Sequence, residues 1–179
     1  MRVFIGIKLP QEVRDYIFDL EKEISKLPAK IKFVHKKNLH VTLKFIDEIS
    51  EDKLKIVKDR LKKFKFKKFP SALMQLDFFP NKNNIRVLWA GIDNKNPFYD
   101  IQKQIDDDLR DILNPEEKFH PHITLGRIKF IKNPEEFQEK ITNVVIKPLK
   151  FEINQFCLFE STLTKDGPEY NVLETYDLE

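Results

Sequence analysis

Two successive strand–helix–strand–helix units of nearly equal length, closed by a C-terminal hairpin, predict a duplicated fold of mixed α and β structure. Three observations carry this expectation. Apolar periodicity switches along the chain between two residues and about 3.6. Helix-opening residues recur at matched places. One tetrapeptide type occurs once in each unit.

The first strand is expected over residues 3–9, where Val3, Ile5 and Ile7 alternate with Phe4, Gly6 and Lys8. Pro10 follows at a position that a first helical turn tolerates. Val13, Ile17, Leu20, Ile24 and Leu27 then fall at steps of four and three, one helical face, and Pro28 ends it. An extended stretch covers residues 39–46. Ser50 caps a second helix that has Glu51 and Asp52 in its first turn and Leu54, Val57, Leu61 and Phe64 on its buried stripe.

The second unit repeats the order. Residues 86–92 read as a strand, and Asn96-Pro97 opens a helix carrying Phe98, Ile101, Ile105, Leu109 and Ile112. Residues 120–130 are extended, and Asn133-Pro134 opens a last helix with Phe137 and Ile141 inward. Val3 and Val87 are 84 residues apart, His40 and His122 are 82, and Ser50 and Asn133 are 83. Such constancy points to a pseudo-twofold duplication. Further strands are expected over 71–79, 149–162 and 169–178, the last two joined by a turn at Asp166-Gly167.

Composition narrows the possibilities. At 179 residues, the chain fits one domain of two lobes sharing a core, with 41% hydrophobic residues and 16 Phe to fill it. No run is long enough for a membrane span, and the N-terminus lacks a signal-peptide layout. The lone Cys157 leaves no internal disulfide, so a cytoplasmic location is expected. The net charge of +3 permits an anionic ligand without demanding one.

The chemistry sits in His40-Val41-Thr42-Leu43 and His122-Ile123-Thr124-Leu125. On a strand, His40 shares a face with Thr42, and His122 with Thr124, while the aliphatics point the other way. Imidazole titrates near 6.5, so at one pH a neutral copy can take a proton while a charged copy gives one. The threonine hydroxyls can donate to non-bridging phosphate oxygens. Arg127, three residues past Thr124, offers a phosphate-matched fork. Lys44 follows the His40/Thr42 parity and is expected to face the same cleft. A single His-x-Thr is more often an ordinary half-exposed pair. Two of only four histidines in matched tetrapeptides reverse that preference.

Other features read more plainly. His120 shares parity with His122 but is set off by Pro121 and is expected at the periphery. His35 is expected at the surface, and the Lys-rich run 60–69 as a helix end and solvated turn. Tyr170 and Phe4 suit either base stacking or the core. A metal site built from His40, His120 and His122 lacks accompanying Asp, Glu or Cys. A non-catalytic RNA-binding module is the other rival, motivated by the Lys-rich run.

These motifs resemble those of the 2H phosphoesterases, in the branch of RNA 2′,3′-cyclic phosphodiesterases also called 2′-5′ RNA ligase-like. Asn38-Leu39-His40-Val41-Thr42-Leu43-Lys44-Phe45 is similar to the first motif, and Phe119-His120-Pro121-His122-Ile123-Thr124-Leu125-Gly126-Arg127 to the second. The likeness extends to residues 2–7, 79–91 and 160–170. Ile46-Asp47 departs from the branch's usual Leu-Gly. The resemblance implies a bilobal α+β fold, with pseudo-twofold lobes whose antiparallel sheets line a central cleft and whose helices lie outside. It implies hydrolysis of a 2′,3′-cyclic phosphate on RNA or a nucleotide to a 2′-phosphate, without metal or cofactor, by a monomer. His40 is then the donor to the leaving 3′ oxygen and His122 the base for water, with Lys44, Arg127 and Tyr170 as phosphate or substrate contacts. Ligation to a 2′-5′ linkage is the alternative activity it implies, the same ring opening with a 5′-hydroxyl in place of water.

Overall fold

The computed structural model describes residues 1–179. Its strands are β1 (Arg2–Lys8), β2 (Ala29–Phe33), β3 (His40–Glu48), β4 (Phe69–Asn81), β5 (Asn84–Ile92), β6 (His122–Ile131), β7 (Lys150–Ile153), β8 (Gln155–Thr164) and β9 (Gly167–Asp177). Its helices are α1 (Gln11–Ile24), α2 (Glu51–Leu61), α3 (Lys95–Leu109) and α4 (Pro134–Thr142). The hydrogen-bonded strand order is β7-β4-β5-β6-β3-β1-β8-β9, with β2 added beside β6. Every pairing is antiparallel. The fold is α+β, as the resemblance implied.

From its middle outward, that order is symmetric: β3-β1-β8 on one side answers β6-β5-β4 on the other. β3 and β6 join at a single pair, Val41 opposite Ile123. Register refines the repeat. Phe4 pairs with Phe45 and Val87 with Arg127, so β1 and β5 correspond at an offset of 83. The helices bury the stripes their periodicity announced: Val13, Ile17, Leu20 and Ile24 on α1, and Phe98, Ile101, Ile105 and Leu109 on α3. They join a cluster of 37 buried residues. Ser50 and Asn133 cap α2 and α4 through their side-chain oxygens. No helix is long and apolar enough to cross a membrane.

Two expectations are corrected here. The extended run 149–162 is two strands, not one. It breaks at Asn154, whose carbonyl accepts from Leu178 N at 2.8 Å. β7 then pairs with β4 and β8 with β1, at opposite ends of the strand order. The second correction is β2, for which the sequence pattern predicted no element. Lys30 and Lys32 alternate there with Ile31 and Phe33, and β2 lies along β6 from Ile131 to Gly126.

Asp47, where the resembling branch carries glycine, has φ 59°, in the left-handed region. Asp tolerates that region better than most residues but without glycine's freedom. Asp47→Gly is therefore expected to be about 1 kcal/mol more stable than Asp47→Ala. Both variants lose the exposed pair with Arg2, so urea denaturation of the two isolates the backbone effect.

Glu21 on α1 is 6% exposed, and its Oε1 has no partner. Burial pushes its carboxyl up from 4.5 to about 8. Between those values the folded state holds a proton that the unfolded state has released, so stability falls as pH rises through the window and levels above it. Glu21→Gln lacks this slope. Its Tm advantage over the parent should grow from pH 4.5 to 8 and then stay constant in thermal scans.

Candidate active site

Pairing Val41 with Ile123 sets the geometry of the cleft. Both aliphatics are fully buried, so the neighbouring residues point to the opposite face. Antiparallel register places His40 across from Thr124 and Thr42 across from His122. The two imidazoles thus occupy diagonal corners of a four-residue patch, where residues on such a diagonal lie roughly 7–8 Å apart with their Cβ atoms somewhat closer. All four side chains are partly exposed.

Each ring is oriented in the same way. His40 Nδ1–H donates to the carbonyl of Asn38 at 2.6 Å, and His122 Nδ1–H donates to the carbonyl of His120 at 2.6 Å. A carbonyl can only accept, so Nδ1 carries the proton in both and Nε2 is left to exchange one. His40 Nε2 lies 2.9 Å from Thr42 Oγ1, within reach of the hydroxyl proton. Asn38 is itself buried and donates from Nδ2 to Pro168 O at 2.7 Å, which ties the first motif to the terminal hairpin.

Aromatic rings wall both imidazoles. Phe4 and Tyr170 lie 4.9 and 5.3 Å from the His40 ring, and Phe159 stacks on Phe4. Phe79 and Trp89 stand 4.9 and 5.8 Å from the His122 ring. Burial is the leading cause that pushes His40 down from 6.5 to about 4, with the bond to Asn38 opposing it and His122 adding to it. His122 is lowered too, first by burial, with its bond to His120 opposing and the charge of His120 adding.

Arg127 is exposed on the cleft face, between Val87 on one side and Lys32 on the other. A bulge puts it there. Trp89 pairs with Thr124 and Leu88 with Gly126, so Leu125 is an extra residue that flips the parity beyond it. Tyr170 edges the His40 ring, and burial raises its phenol while Arg127 and Arg2 act to lower it.

Lys44 is a correction. The same bulge occurs in β3: Gly6 pairs with Thr42 and Ile5 with Lys44, leaving Leu43 extra. Parity flips, and Lys44 turns into the interior at 1% exposure. It forms an ion pair with Asp106 on α3 and donates to Asn114 O at 2.6 Å. It is a buried structural cation, not a phosphate ligand. Its counterpart in β6 is Gly126, where an added Cβ would meet Ile31 Cγ2 at 2.8 Å as β2 passes.

Phe79, Trp89 and Lys32 belong to the site's surroundings, although sequence reasoning gave them no role there. The chain's only tryptophan, two residues beyond the Val87 repeat position, was the available signal. His120, expected at the periphery, packs its ring 5.1 Å from Trp89 and 6.2 Å from His122. His35 is exposed and accepts from Lys37 N. No three His, Cys, Asp or Glu side chains gather as ligands for a metal ion.

Paired strands offering one His-x-Thr each across a shared face define a two-histidine phosphoesterase. The chain belongs to the family described as LigT like Phosphoesterase, whose profile matches residues 7–89 and 92–170. An RNA 2′,3′-cyclic phosphodiesterase of Methanocaldococcus jannaschii is 35% identical over 98% of this chain and 100% of that protein. Another, from Methanothermobacter thermautotrophicus, is 31% identical over 99% of both. Among solved structures, TT0787 of Thermus thermophilus superposes with a TM-score of 0.84 at 26% identity, covering 99% of this chain and 97% of that one.

Removing one partner of a buried ion pair leaves the other unpaired. Lys44→Ala should therefore cost about 3–5 kcal/mol in denaturant unfolding. The Lys44→Ala/Asp106→Ala double variant should lose less than the sum of the singles.

Proposed function

We propose that this chain hydrolyses the 2′,3′-cyclic phosphate at an RNA end to a 2′-phosphate, by acid–base catalysis from His40 and His122 without a metal. The observation that carries this reading is the diagonal pair of imidazoles, each with Nδ1 committed to a carbonyl and Nε2 left for proton exchange. The activity named for the similar proteins supports it.

In this reading the phosphate anion sits between the rings. His122 Nε2 takes a proton from water as the oxygen attacks phosphorus. The bond to the 3′ oxygen breaks, and His40 Nε2 delivers a proton to that oxygen. Thr42 and Thr124 donate to the non-bridging oxygens, and Arg127 balances the charge that collects there. Tyr170, packed edge-on to His40, borders the substrate.

The decisive assay incubates RNA ending in a 2′,3′-cyclic phosphate with excess chelator and identifies the phosphate isomer released. A 2′-phosphate is expected. His40→Ala and His122→Ala should each lose about 10²–10⁴-fold in turnover. Full turnover in either variant would exclude the mechanism, and binding without product would make the chain an RNA-end-binding module.

The lowered imidazoles also set the pH response of the free enzyme. One ring must be neutral and one protonated, and both titrate below 6.5. The maximum of kcat/KM should thus fall on the acid side of pH 6.5 and decline as pH rises. The maximum of kcat should lie higher, because a bound phosphate anion stabilises the imidazolium.

A further inference from the structure

Beyond Arg127 the sheet opens. The β5–β6 ladder ends at Val87–Arg127, while β6 runs on to Ile131 paired on its other edge with β2. The divergence leaves a groove of about 550 Å³ lined by Asn84, Ile85, Arg86, Arg127, Lys129 and Phe130, among others. Two bulges furnish it with charge. Phe79 pairs with Val87 and Pro80 with Ile85, so Arg86 is the unpaired residue of β5. Lys30 pairs with Phe130 and Ile31 with Ile128, so Lys129 is the unpaired residue of β6. A bulge releases its side chain from the alternation of the strand and re-aims it. Both bulge positions here are cations.

Arg86, Arg127 and Lys129 are exposed, and none forms an ion pair within the chain. Phe130, three residues beyond Arg127, leaves a large apolar ring 50% exposed beside them. At the rise of a strand, the distance from Arg127 to Phe130 is about 10 Å. Unpaired cations spaced along an aromatic face, and continuous with the cleft through Arg127, match a single-stranded nucleic acid backbone and its bases.

We propose that this groove seats the RNA segment immediately upstream of the cyclic end, with Arg86 and Lys129 on backbone phosphates and Phe130 stacked on a base. The inference rests on the phosphodiesterase reading and extends it. The enzyme distinguishes an RNA end from a lone cyclic nucleotide by what lies outside the catalytic cleft.

The test compares two substrates, a nucleoside 2′,3′-cyclic phosphate and a short single-stranded RNA with the same terminal nucleotide. The wild-type protein should show the lower KM for the RNA. Phe130→Ala should raise that KM at least about fivefold, as loss of one base stack predicts. Arg86→Gln/Lys129→Gln should reduce the magnitude of the slope of log KM against log salt by about 1.4, at roughly 0.7 per lost phosphate contact. Both variants should keep the wild-type kcat and KM on the nucleoside substrate, which also shows that they are folded. Equal wild-type KM for both substrates, or variants that shift the two alike, would overturn the groove while leaving the phosphodiesterase reading in place. Turnover of neither substrate by the wild-type protein would overturn that reading and the groove with it.

Discussion

The pairing of Val41 with Ile123 is the contact on which the site depends. It joins β3 to β6, and its register decides that His40 and His122 stand at diagonal corners of one surface. Slipping either strand by one residue would send its imidazole into the core and its aliphatics into the cleft. The two buried side chains resist that slip because each belongs to the same hydrophobic cluster as the helices behind it. Register is thus enforced by burial on one face and read out as chemistry on the other. The carbonyls of Asn38 and His120, each two residues before its histidine, complete the constraint by fixing which nitrogen can exchange a proton.

Duplication supplies the pair, and divergence after the bulges supplies the difference between its halves. In each motif strand an extra leucine, Leu43 or Leu125, reverses parity at the same distance beyond the histidine. The next residue turns inward, as Lys44 in β3 and Gly126 in β6. Lys44 spans from the first half to Asp106 on α3 of the second, whereas Gly126 leaves room for β2 to cross. One residue further on, Phe45 and Arg127 return to the outer face. A ring at one position and a guanidinium at the other give a pseudo-symmetric cleft one apolar shoulder and one cationic shoulder.

Much of this was legible in the sequence because it rests on local period. Helix stripes, both motif strands and the repeat offset follow from spacing that side-chain burial must obey. The alternation argument failed where the backbone departs from regularity. Lys44 was expected in the cleft because parity was carried through a bulge, and nothing in Leu43-Lys44 announces one. Residues 149–162 read as one strand because both sides of Asn154-Gln155 are apolar-rich, although that polar pair breaks the alternation of Leu149, Phe151 and Ile153. Its effect is topological, sending the two pieces to different partners. β2 was missed because its period-two pattern is only five residues long and two of them are lysines. Phe79 and Trp89 reach His122 only through the β4–β5–β6 register, which no single segment encodes.

In the proposed mechanism, acid–base work by this pair follows from the apolar rings packed around it. Phe4, Phe159 and Tyr170 around His40, and Phe79 and Trp89 around His122, displace part of the water that would stabilise an imidazolium. Burial, more than mutual repulsion, therefore holds both rings toward neutrality in the absence of an anion. A neutral pair has a base in place and no acid. A phosphate anion entering the cleft supplies the missing field: it favours one proton, and repulsion between the rings opposes a second. The singly protonated state required for transfer is then the one the substrate itself selects. An exposed, well-solvated pair would hold its protons more nearly according to bulk pH, with a weaker dependence on what lay between the rings.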